Sequence, residues 1–139
     1  MLFRSLRHGS GLRFAGLRPE RRTEDLTHVR VEQRDIPGRW PDGRFDLIVF
    51  SEILYYLGNQ DLEQALKHAV STLEPEGTLL AVHWRHPVAD YPRSGDDVHQ
   101  VLAGRPGLAR LVRHDEPDFL ACRLRVGGQS AVTTQRVIS

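Results

Sequence analysis

Two apolar runs of the chain end in polar and aromatic side chains that could do chemistry. The runs are residues 45–51 (FDLIVFS) and 78–83 (TLLAVH). The side chains at or just after their ends are Ser51, Glu52, Tyr55, Tyr56, His83 and Trp84. Imidazole titrates near neutral pH, so His83 is the first candidate for a general base and Glu52 is the second. The aromatic rings can hold a cation over their faces. This set predicts proton transfer beside an amine or another cationic ligand.

A third candidate pair, Asp35 and Ile36, follows a short run in which Val29 and Val31 alternate with charged residues. A carboxylate at the end of a strand can accept hydrogen bonds from an exocyclic amine or from ribose hydroxyls. A neighbouring isoleucine can pack on the face of a purine. Taken alone, Asp35 is more typical of an ordinary turn residue before Ile-Pro-Gly.

Two other chemistries compete for the same residues. A metal site would draw on five side chains, His83, His86, His99, Asp96 and Asp97. Their spacing is not that of an ordered metal-binding helix or knuckle, so we expect no metal. Ser51 as a hydrolase nucleophile lacks the flanking glycines of a strained nucleophile elbow.

A strand, a helix and a second strand position the main candidates. The run at residues 45–51 has almost no polar alternation, which is typical of a strand covered on both faces in a parallel sheet. An apolar stripe at helical spacing follows, with Asn59 or Asp61 as its cap, and its members are Leu62, Ala65, Leu66, Ala69, Val70 and Leu73. Residues 78–83 form the next strand. This βαβ unit predicts parallel strands whose carboxyl ends share one edge of an α/β sheet.

The remaining elements are shorter. Residues 29–32 read as a strand and residues 96–103 as a helix capped near Ser94 or Gly95. Residues 108–114 and 119–126 flank a turn and predict an antiparallel hairpin. We expect a domain over residues 23–126, preceded by an arm at 1–22 and followed by a tail at 127–139. The tail either pairs weakly as a strand or stays loose.

Basic residues are concentrated at the start of the chain. The arginines there are Arg4, Arg7, Arg13, Arg18, Arg21 and Arg22, and Glu20 is the accompanying acid. This segment suits a transit peptide or an irregular N-terminus, and its glycines predict a poorly ordered arm. No basic stripe with interleaved aromatics continues into the body of the chain, so we expect no nucleic-acid partner.

Length and composition limit the class of protein. The chain has 139 residues, of which 40% are hydrophobic and 27% charged, as in one globular domain. The apolar runs fall far short of the roughly 20 residues that cross a bilayer, so we expect no membrane association. Its one cysteine, Cys122, suits a buried position in a reducing compartment, and we expect a cytoplasmic protein.

Three segments of the chain resemble S-adenosylmethionine-dependent methyltransferases of class I, and within them the NodS-like nodulation methyltransferases. They are residues 29–37 (VRVEQRDIP), 40–57 (WPDGRFDLIVFSEILYYL) and 73–85 (LEPEGTLLAVHWR). The resemblance covers residues 18–126. It implies a partial Rossmann-like sheet of mostly parallel strands, closed by the C-terminal hairpin.

The resemblance also implies roles for the candidate residues. Asp35 and Ile36 would approach the adenine of S-adenosyl-L-methionine, and Ser51 and Glu52 would lie at its methionine end. A second group would line the acceptor side, namely Tyr55, Tyr56, His83 and Trp84. We expect His99 to assist from a lid. The implied reaction is N-methylation of a small amine or amino sugar, with His83 or Glu52 removing the proton.

One departure from the class concerns the cofactor loop. Class I enzymes place a glycine-rich loop after their first strand, whereas here Gly9-Ser10-Gly11 follows no apolar strand. We therefore expect an N-terminally truncated methyltransferase domain, either active or inactive alone, or alternatively a non-catalytic fragment or binding module. A sheet without its first strands would expose an edge. Self-association or a partner chain would then cover it.

Overall fold

The computed structural model describes residues 1–5, 11–15, 29–32, 34–127 and 136–138. The strands are β1 Leu2–Ser5, β2 Gly11–Ala15, β3 Val29–Glu32, β4 Phe45–Ser51, β5 Leu73–Trp84, β6 Leu108–Asp115, β7 Phe119–Val126 and β8 Arg136–Ile138. The helices are α1 Asn59–Thr72 and α2 Gly95–Gly104, and a 3-10 turn spans Leu54–Tyr56.

The strands form one mixed sheet in the order β3-β2-β1-β4-β5-β7-β6-β8. β4 and β5 are parallel and are joined by α1, which confirms the predicted βαβ unit. β6 and β7 are antiparallel neighbours, as the hairpin prediction required. β1 and β7 run against the other strands. The architecture is therefore the expected α/β sheet of mostly parallel strands.

Both helices pack on the same face of the sheet. Side chains at alternate positions of the central strands belong to one buried cluster with the helices, and the strand members include Ile48, Phe50, Leu79, Ala81, Cys122 and Leu124. The opposite face of β4, carrying Leu47 and Val49, is only half-buried. The expectation that β4 is covered equally on both faces is wrong, because α1 and α2 share one side.

The amphipathic stripe of α1 is confirmed, whereas its predicted cap is not. Leu62, Leu66 and Ala69 are buried, as the helical spacing requires. The N-cap is Gly58, which makes no side-chain cap hydrogen bond, and the helix begins at Asn59. Leu73 ends the helix and begins β5, so the second strand starts five residues earlier than its apolar run.

The predicted N-terminal arm contains regular structure. β1 pairs with β4 in antiparallel register, and Phe3 is fully buried against Trp40 and Phe45. β2 pairs with β1 and is parallel to β3. The expectation of a disordered segment is therefore wrong for these two strands, since apolar residues of a basic segment can still enter a core. Residues 6–10 and 16–22 lie outside the described residues.

The edge of β4 is also covered, contrary to expectation, because β1 takes the place beside it. The tail contributes β8, which pairs parallel with β6, so the strand alternative holds for residues 136–138. Residues 128–135 are not described. Within the described residues, no helix is long and apolar enough to span a membrane.

The start of α2 is fixed by a capping box and by a close backbone contact. The Ser94 hydroxyl accepts a hydrogen bond from the Asp97 N–H at 3.1 Å, and the Asp97 carboxylate accepts one from the Ser94 N–H at 3.2 Å. A Cβ at Gly95 would lie 2.2 Å from the carbonyl oxygen of Trp84. α2 therefore begins directly against the end of β5, and a side chain at Gly95 would separate them.

Candidate active site

The carboxyl ends of β3, β4 and β5 lie at one edge of the sheet, since these three strands run in the same direction. The sequence places its candidates at this edge. Ser51 at the end of β4 is exposed, and Trp84 at the end of β5 is 46% exposed. The edge is thus open to a ligand at the two central strands.

Glu52 links the ends of the two central strands. Its N–H donates to the Val82 carbonyl at 2.9 Å, and its Oε1 accepts from the Trp84 N–H at 2.7 Å. Its φ of 54° is in the left-handed region, which a side chain other than glycine rarely occupies. This conformation turns the carboxylate back over the end of β5, and such strain is typical of functional positions.

Tyr55 holds the other oxygen of this carboxylate. Its hydroxyl donates to Glu52 Oε2. Burial raises the pKa of Tyr55 above its usual value of 10, and the hydrogen bond to the Glu52 carboxylate raises it further. The phenol therefore stays protonated at neutral pH and acts as a fixed donor. Glu52 consequently has both oxygens oriented by this end of the sheet.

An aromatic cluster adjoins the Glu52–Tyr55 pair. Tyr91 stacks on Tyr55 with ring centroids 5.0 Å apart, and its hydroxyl lies 2.9 Å from that of Tyr56. The Tyr56 side chain is 51% exposed and presents its ring to solvent. Tyr91 is not among the candidates from the sequence, although an aromatic residue between Pro87 and Pro92 was an available signal. The acceptor-binding roles of Tyr55 and Tyr56 stay a prediction.

His83 does not lie where the sequence analysis expected a base. It is 0% exposed, and its Nε2 lies 3.2 Å from the Leu54 N–H. Burial and the facing His99 lower the pKa of His83 from 6.5 to about 3. A base must reach the proton that it takes, and His83 is enclosed because strand alternation turns it toward α2. The base assignment of His83 stays a prediction, and its enclosed position favours Glu52, the candidate that lies at the surface.

His99 is likewise buried, at 4% exposure, and its Nε2 lies 3.2 Å from Nδ1 of His83. Burial, followed by the charge of Arg113, lowers the pKa of His99 from 6.5 to about 4. The structure therefore does not place His99 on a lid over an acceptor. It is a contact between α2 and the sheet, which the helical periodicity of α2 alone could not identify.

Asp35 and Ile36 lie in the turn after β3, at the same edge. Asp35 is exposed, and its carbonyl accepts a hydrogen bond from the Arg39 N–H at 2.8 Å. Ile36 is half-buried and packs against the core cluster. Their proposed contacts with adenine stay a prediction, as do the roles of Ser51 and Trp84.

Arg85 connects three segments at the edge of the sheet through hydrogen bonds. Its guanidinium forms a bidentate pair with Asp96 at 3.0 and 3.1 Å and donates to the Glu116 carbonyl at 3.0 Å. Its N–H donates to the Asp118 carbonyl at 2.7 Å. The end of β5, the start of α2 and the turn of the hairpin are thereby held together beside Trp84.

The side chains considered for a metal have other partners. His86 pairs with Asp118 at 2.7 Å, Asp96 pairs with Arg85, and Asp97 belongs to the capping box. The part of the chain that the structure describes contains no group of three or more such ligands. A groove of about 700 Å³ lies near the opposite end of β5, and Arg44, Thr78 and Arg125 are among its lining residues. It contains none of the candidate residues.

Comparison with known families gives a direct match. The family model described as Nodulation protein S (NodS) matches residues 13–92, more than half of the chain. The chain belongs to the NodS family. No curated protein sequence matches it.

Solved structures resemble this NodS-family chain. A crystal structure assigned as a methyltransferase from Pseudomonas syringae is 43% identical, with a TM-score of 0.63 over 75% of this chain and 62% of that one. The N-methyltransferase NodS from Bradyrhizobium japonicum WM9, in complex with S-adenosyl-L-homocysteine, is 26% identical, with a TM-score of 0.65 over 77% of this chain and 59% of that one. The chain thus spans about three-fifths of the length of both.

The glycopeptide N-methyltransferase MtfA shows the same fold at greater distance, with 16% identity, a TM-score of 0.59 and coverage of 72% of this chain and 62% of that one. Together these matches confirm the predicted NodS-like family and the partial Rossmann-like methyltransferase fold.

Proposed function

We propose that the chain is an S-adenosyl-L-methionine-dependent N-methyltransferase whose acceptor is a small amine or amino sugar. The observation that carries the proposal is the Glu52 carboxylate, oriented at the sheet edge by Tyr55 and the Trp84 N–H in a chain of the NodS family. Two of the similar structures, NodS and MtfA, are named as N-methyltransferases, which supports nitrogen as the acceptor atom.

The residues present at the edge fit this cofactor. Its sulfonium is a cation, and the exposed carboxylate of Glu52 and the half-exposed ring of Trp84 both attract cations. Exposed Ser51 and Asp35 offer further polar groups to a molecule lying along the ends of β3 and β4. When bound, the cofactor supplies a methyl group whose carbon–sulfur bond breaks as the carbon–nitrogen bond forms, the electron pair of that bond staying on sulfur.

The protein must dispose of one proton. A neutral amine that gains a methyl group becomes an ammonium ion, and its N–H proton passes to the Glu52 carboxylate. Each carboxylate oxygen has a second lone pair besides the one that Tyr55 or the Trp84 N–H uses. Glu52 can therefore receive the proton without releasing its own anchors, and the fixed geometry keeps it near the reacting nitrogen.

The aromatic cluster orients the acceptor. Tyr56 is the exposed ring of the cluster and contacts Tyr55 and Tyr91, and Trp84 is a second exposed ring, which contacts His86. Rings in this arrangement exclude water from the reacting groups and attract the positive charge of the methylated product. A small amine fits this role better than a bulky apolar acceptor because the exposed surface combines hydroxyl groups with aromatic faces.

The experiment is calorimetric titration of the chain with S-adenosyl-L-homocysteine, followed by a methyl-transfer assay with radiolabelled S-adenosyl-L-methionine. The amines offered are D-glucosamine, ethanolamine and glycine. We expect micromolar binding, on the order of −8 kcal/mol, and turnover of at least one amine. Glu52→Gln should lower kcat by about 100-fold or more, since it removes the proton acceptor.

Asp61→Asn is the matched control, because Asp61 is an exposed acid in the first turn of α1. It should leave turnover unchanged. Binding with equal turnover in Glu52→Gln would contradict the role of Glu52 as the base. Absence of both binding and turnover would instead support the alternative, a methyltransferase-like chain that is not catalytic by itself.

A further inference from the structure

His83 and His99 are buried polar side chains in the core that the described residues form. They lie between three elements, with His83 on β5, His99 on α2 and the Leu54–Tyr56 turn above them. A buried imidazole must be hydrogen-bonded, since an unpaired polar group in a core is destabilising. The partners of the pair therefore show what the two histidines hold.

The hydrogen bonds assign the tautomers. The Leu54 N–H donates to Nε2 of His83 at 3.2 Å, so this nitrogen carries no proton. Nδ1 of His83 then carries the proton and donates to Nε2 of His99 at 3.2 Å. Both rings are neutral, and each bond has a defined direction. The result is a chain of hydrogen bonds from α2 through β5 to the backbone of the turn.

The first N–H group of the Leu54–Tyr56 turn finds its acceptor in this series of hydrogen bonds. Ile53 precedes the turn without making a side-chain cap hydrogen bond, and Leu54 is the first residue inside it. The first N–H groups of a helical turn have no partner within the turn. His83 therefore takes the place of a capping side chain at Leu54, and its ring also contacts Tyr55 edge-on at 5.3 Å.

We propose that His83 and His99 are positioning residues that hold the Leu54–Tyr56 turn, so that Tyr55 fixes the Glu52 carboxylate in the direction of the acceptor. The inference rests on the proposed function for the part that concerns catalysis. The pair acts through Tyr55 and Glu52 and does not touch the acceptor. It also ties the start of α2, and with it the Arg85–Asp96 contact, to the geometry of the carboxylate.

Four charged groups on α2 and β6 act on the pair through His99. They are Asp96 on α2, and Arg110, Arg113 and Asp115 on β6. Two acids and two bases offset one another, so the local charge does not require either histidine to be protonated. A neutral pair with directional hydrogen bonds is consistent with these surroundings.

The test compares two substitutions at His83. His83→Leu removes the acceptor for the Leu54 N–H, whereas in His83→Gln the side-chain oxygen can accept the same bond. With the amine from the panel that turns over best, we expect kcat to fall by about tenfold or more in His83→Leu with KM changed much less. His83→Gln should stay within about threefold of the unmodified chain. His99→Leu should fall between these two.

Leu66→Ala is the matched control for a merely structural role. Leu66 is fully buried in α1, outside the Leu54–Tyr56 turn, so its truncation lowers the free energy of unfolding by about 2–5 kcal/mol and leaves the bond from the Leu54 N–H to His83 in place. It should leave kcat unchanged under conditions where the chain is folded. An equal loss of kcat in Leu66→Ala and His83→Leu would overturn the proposal, because a general loss of stability would then account for both.

A second measurement does not need turnover. Amide hydrogen exchange followed by NMR reports on the turn, in which the Tyr56 and Leu57 N–H groups donate to the Ile53 and Leu54 carbonyls. In His83→Leu these two amides should exchange about tenfold faster or more, relative to the Arg85 N–H, because the turn has lost the acceptor for its first donor. In His83→Gln and Leu66→Ala this ratio should not change.

This measurement separates the two proposals. If the chain binds no cofactor but the turn amides exchange faster as stated, the proposed function fails and the positioning of the turn stands. If the chain methylates an amine and His83→Leu changes neither kcat nor the exchange of the turn amides, the positioning role is overturned while the proposed function stands. If His83→Leu does not fold, the same comparison is made between His99→Leu and Leu66→Ala.

Discussion

Mild acid is expected to destabilise the fold through His83 and His99. Burial is the main cause that lowers the pKa of His83 from 6.5 to about 3 and that of His99 from 6.5 to about 4. In the unfolded chain both imidazoles titrate near 6.5. Below that pH the unfolded state binds protons that the folded state does not. The stabilisation is therefore complete above pH 6.5, declines steadily as pH falls below that value, and is fully lost once pH has passed the folded values.

The loss of unfolding free energy depends only on how the two histidines titrate in the unfolded chain, because their pKa values in the folded chain lie below the pH of the experiment. Between about pH 7.5 and about pH 5.5, one such histidine removes about 1.4 kcal/mol of stability, and the pair removes about 3 kcal/mol. This is a large fraction of the 5–15 kcal/mol that stabilises a typical domain. The free energy of unfolding should thus fall markedly within a range in which carboxylates still remain mostly ionised.

The assay is urea unfolding followed by circular dichroism at both pH values. The unmodified chain should lose about 3 kcal/mol more stability on acidification than the double variant His83→Gln, His99→Gln, which lacks these two buried imidazoles. His86→Gln is the control, since His86 is exposed and pairs with Asp118 at the surface. An equal loss in the double variant and the unmodified chain would refute the argument that this pair is held neutral.

Three further predictions concern single positions. Glu52→Gly should be more stable than Glu52→Ala by about 1 kcal/mol, because both lack the carboxylate and only glycine relaxes at a φ of 54°; chemical denaturation checks this, and the reverse order would contradict it. Gly95→Ala should lower the free energy of unfolding by about 1–3 kcal/mol, since its Cβ would lie 2.2 Å from the Trp84 carbonyl oxygen. Gly104→Ala is the control, because a Cβ there has no atom within 4 Å, and the same denaturation assay should find it neutral or slightly stabilising. Phe3→Ala should lower it by about 3–5 kcal/mol because the ring is fully buried, and a change below about 1 kcal/mol would show that β1 is not docked on the core.

The central half of the fold was predictable because its signals are local. The apolar runs of β4 and β5 and the helical stripe of α1 each specify an element, and the short connection between β6 and β7 specifies antiparallel pairing. The N-terminal strands were missed for the opposite reason. Phe3 enters the core through a pairing with β4, more than 40 residues away, and it lies in a segment rich in arginine. The spacing of apolar residues within a short segment cannot predict such a long-range contact.

The sequence predicts at which edge of the sheet the site lies, but it does not predict how the side chains are oriented there. Parallel strands place Glu52 and Trp84 together, which the sequence analysis anticipated. Whether a residue at the end of a strand points outward depends on its position in the alternation. His83 is turned inward by that alternation and Trp84 outward, so the predicted base became a buried residue. The left-handed backbone of Glu52 follows from its contacts with β5 and has no signature in the sequence.

Glu52 also terminates the ladder between β4 and β5, since its backbone and its carboxylate both bond to β5. Glu52 therefore combines a structural contact with its proposed catalytic role. Glu52→Ala would remove the bond to the Trp84 N–H together with the carboxylate, and Glu52→Gly would relax the backbone but would also remove the carboxylate. Sequence changes that alter the proposed acceptor site while the sheet stays closed should consequently occur at the aromatic side chains near Glu52, such as Tyr56 and Tyr91 on two separate segments.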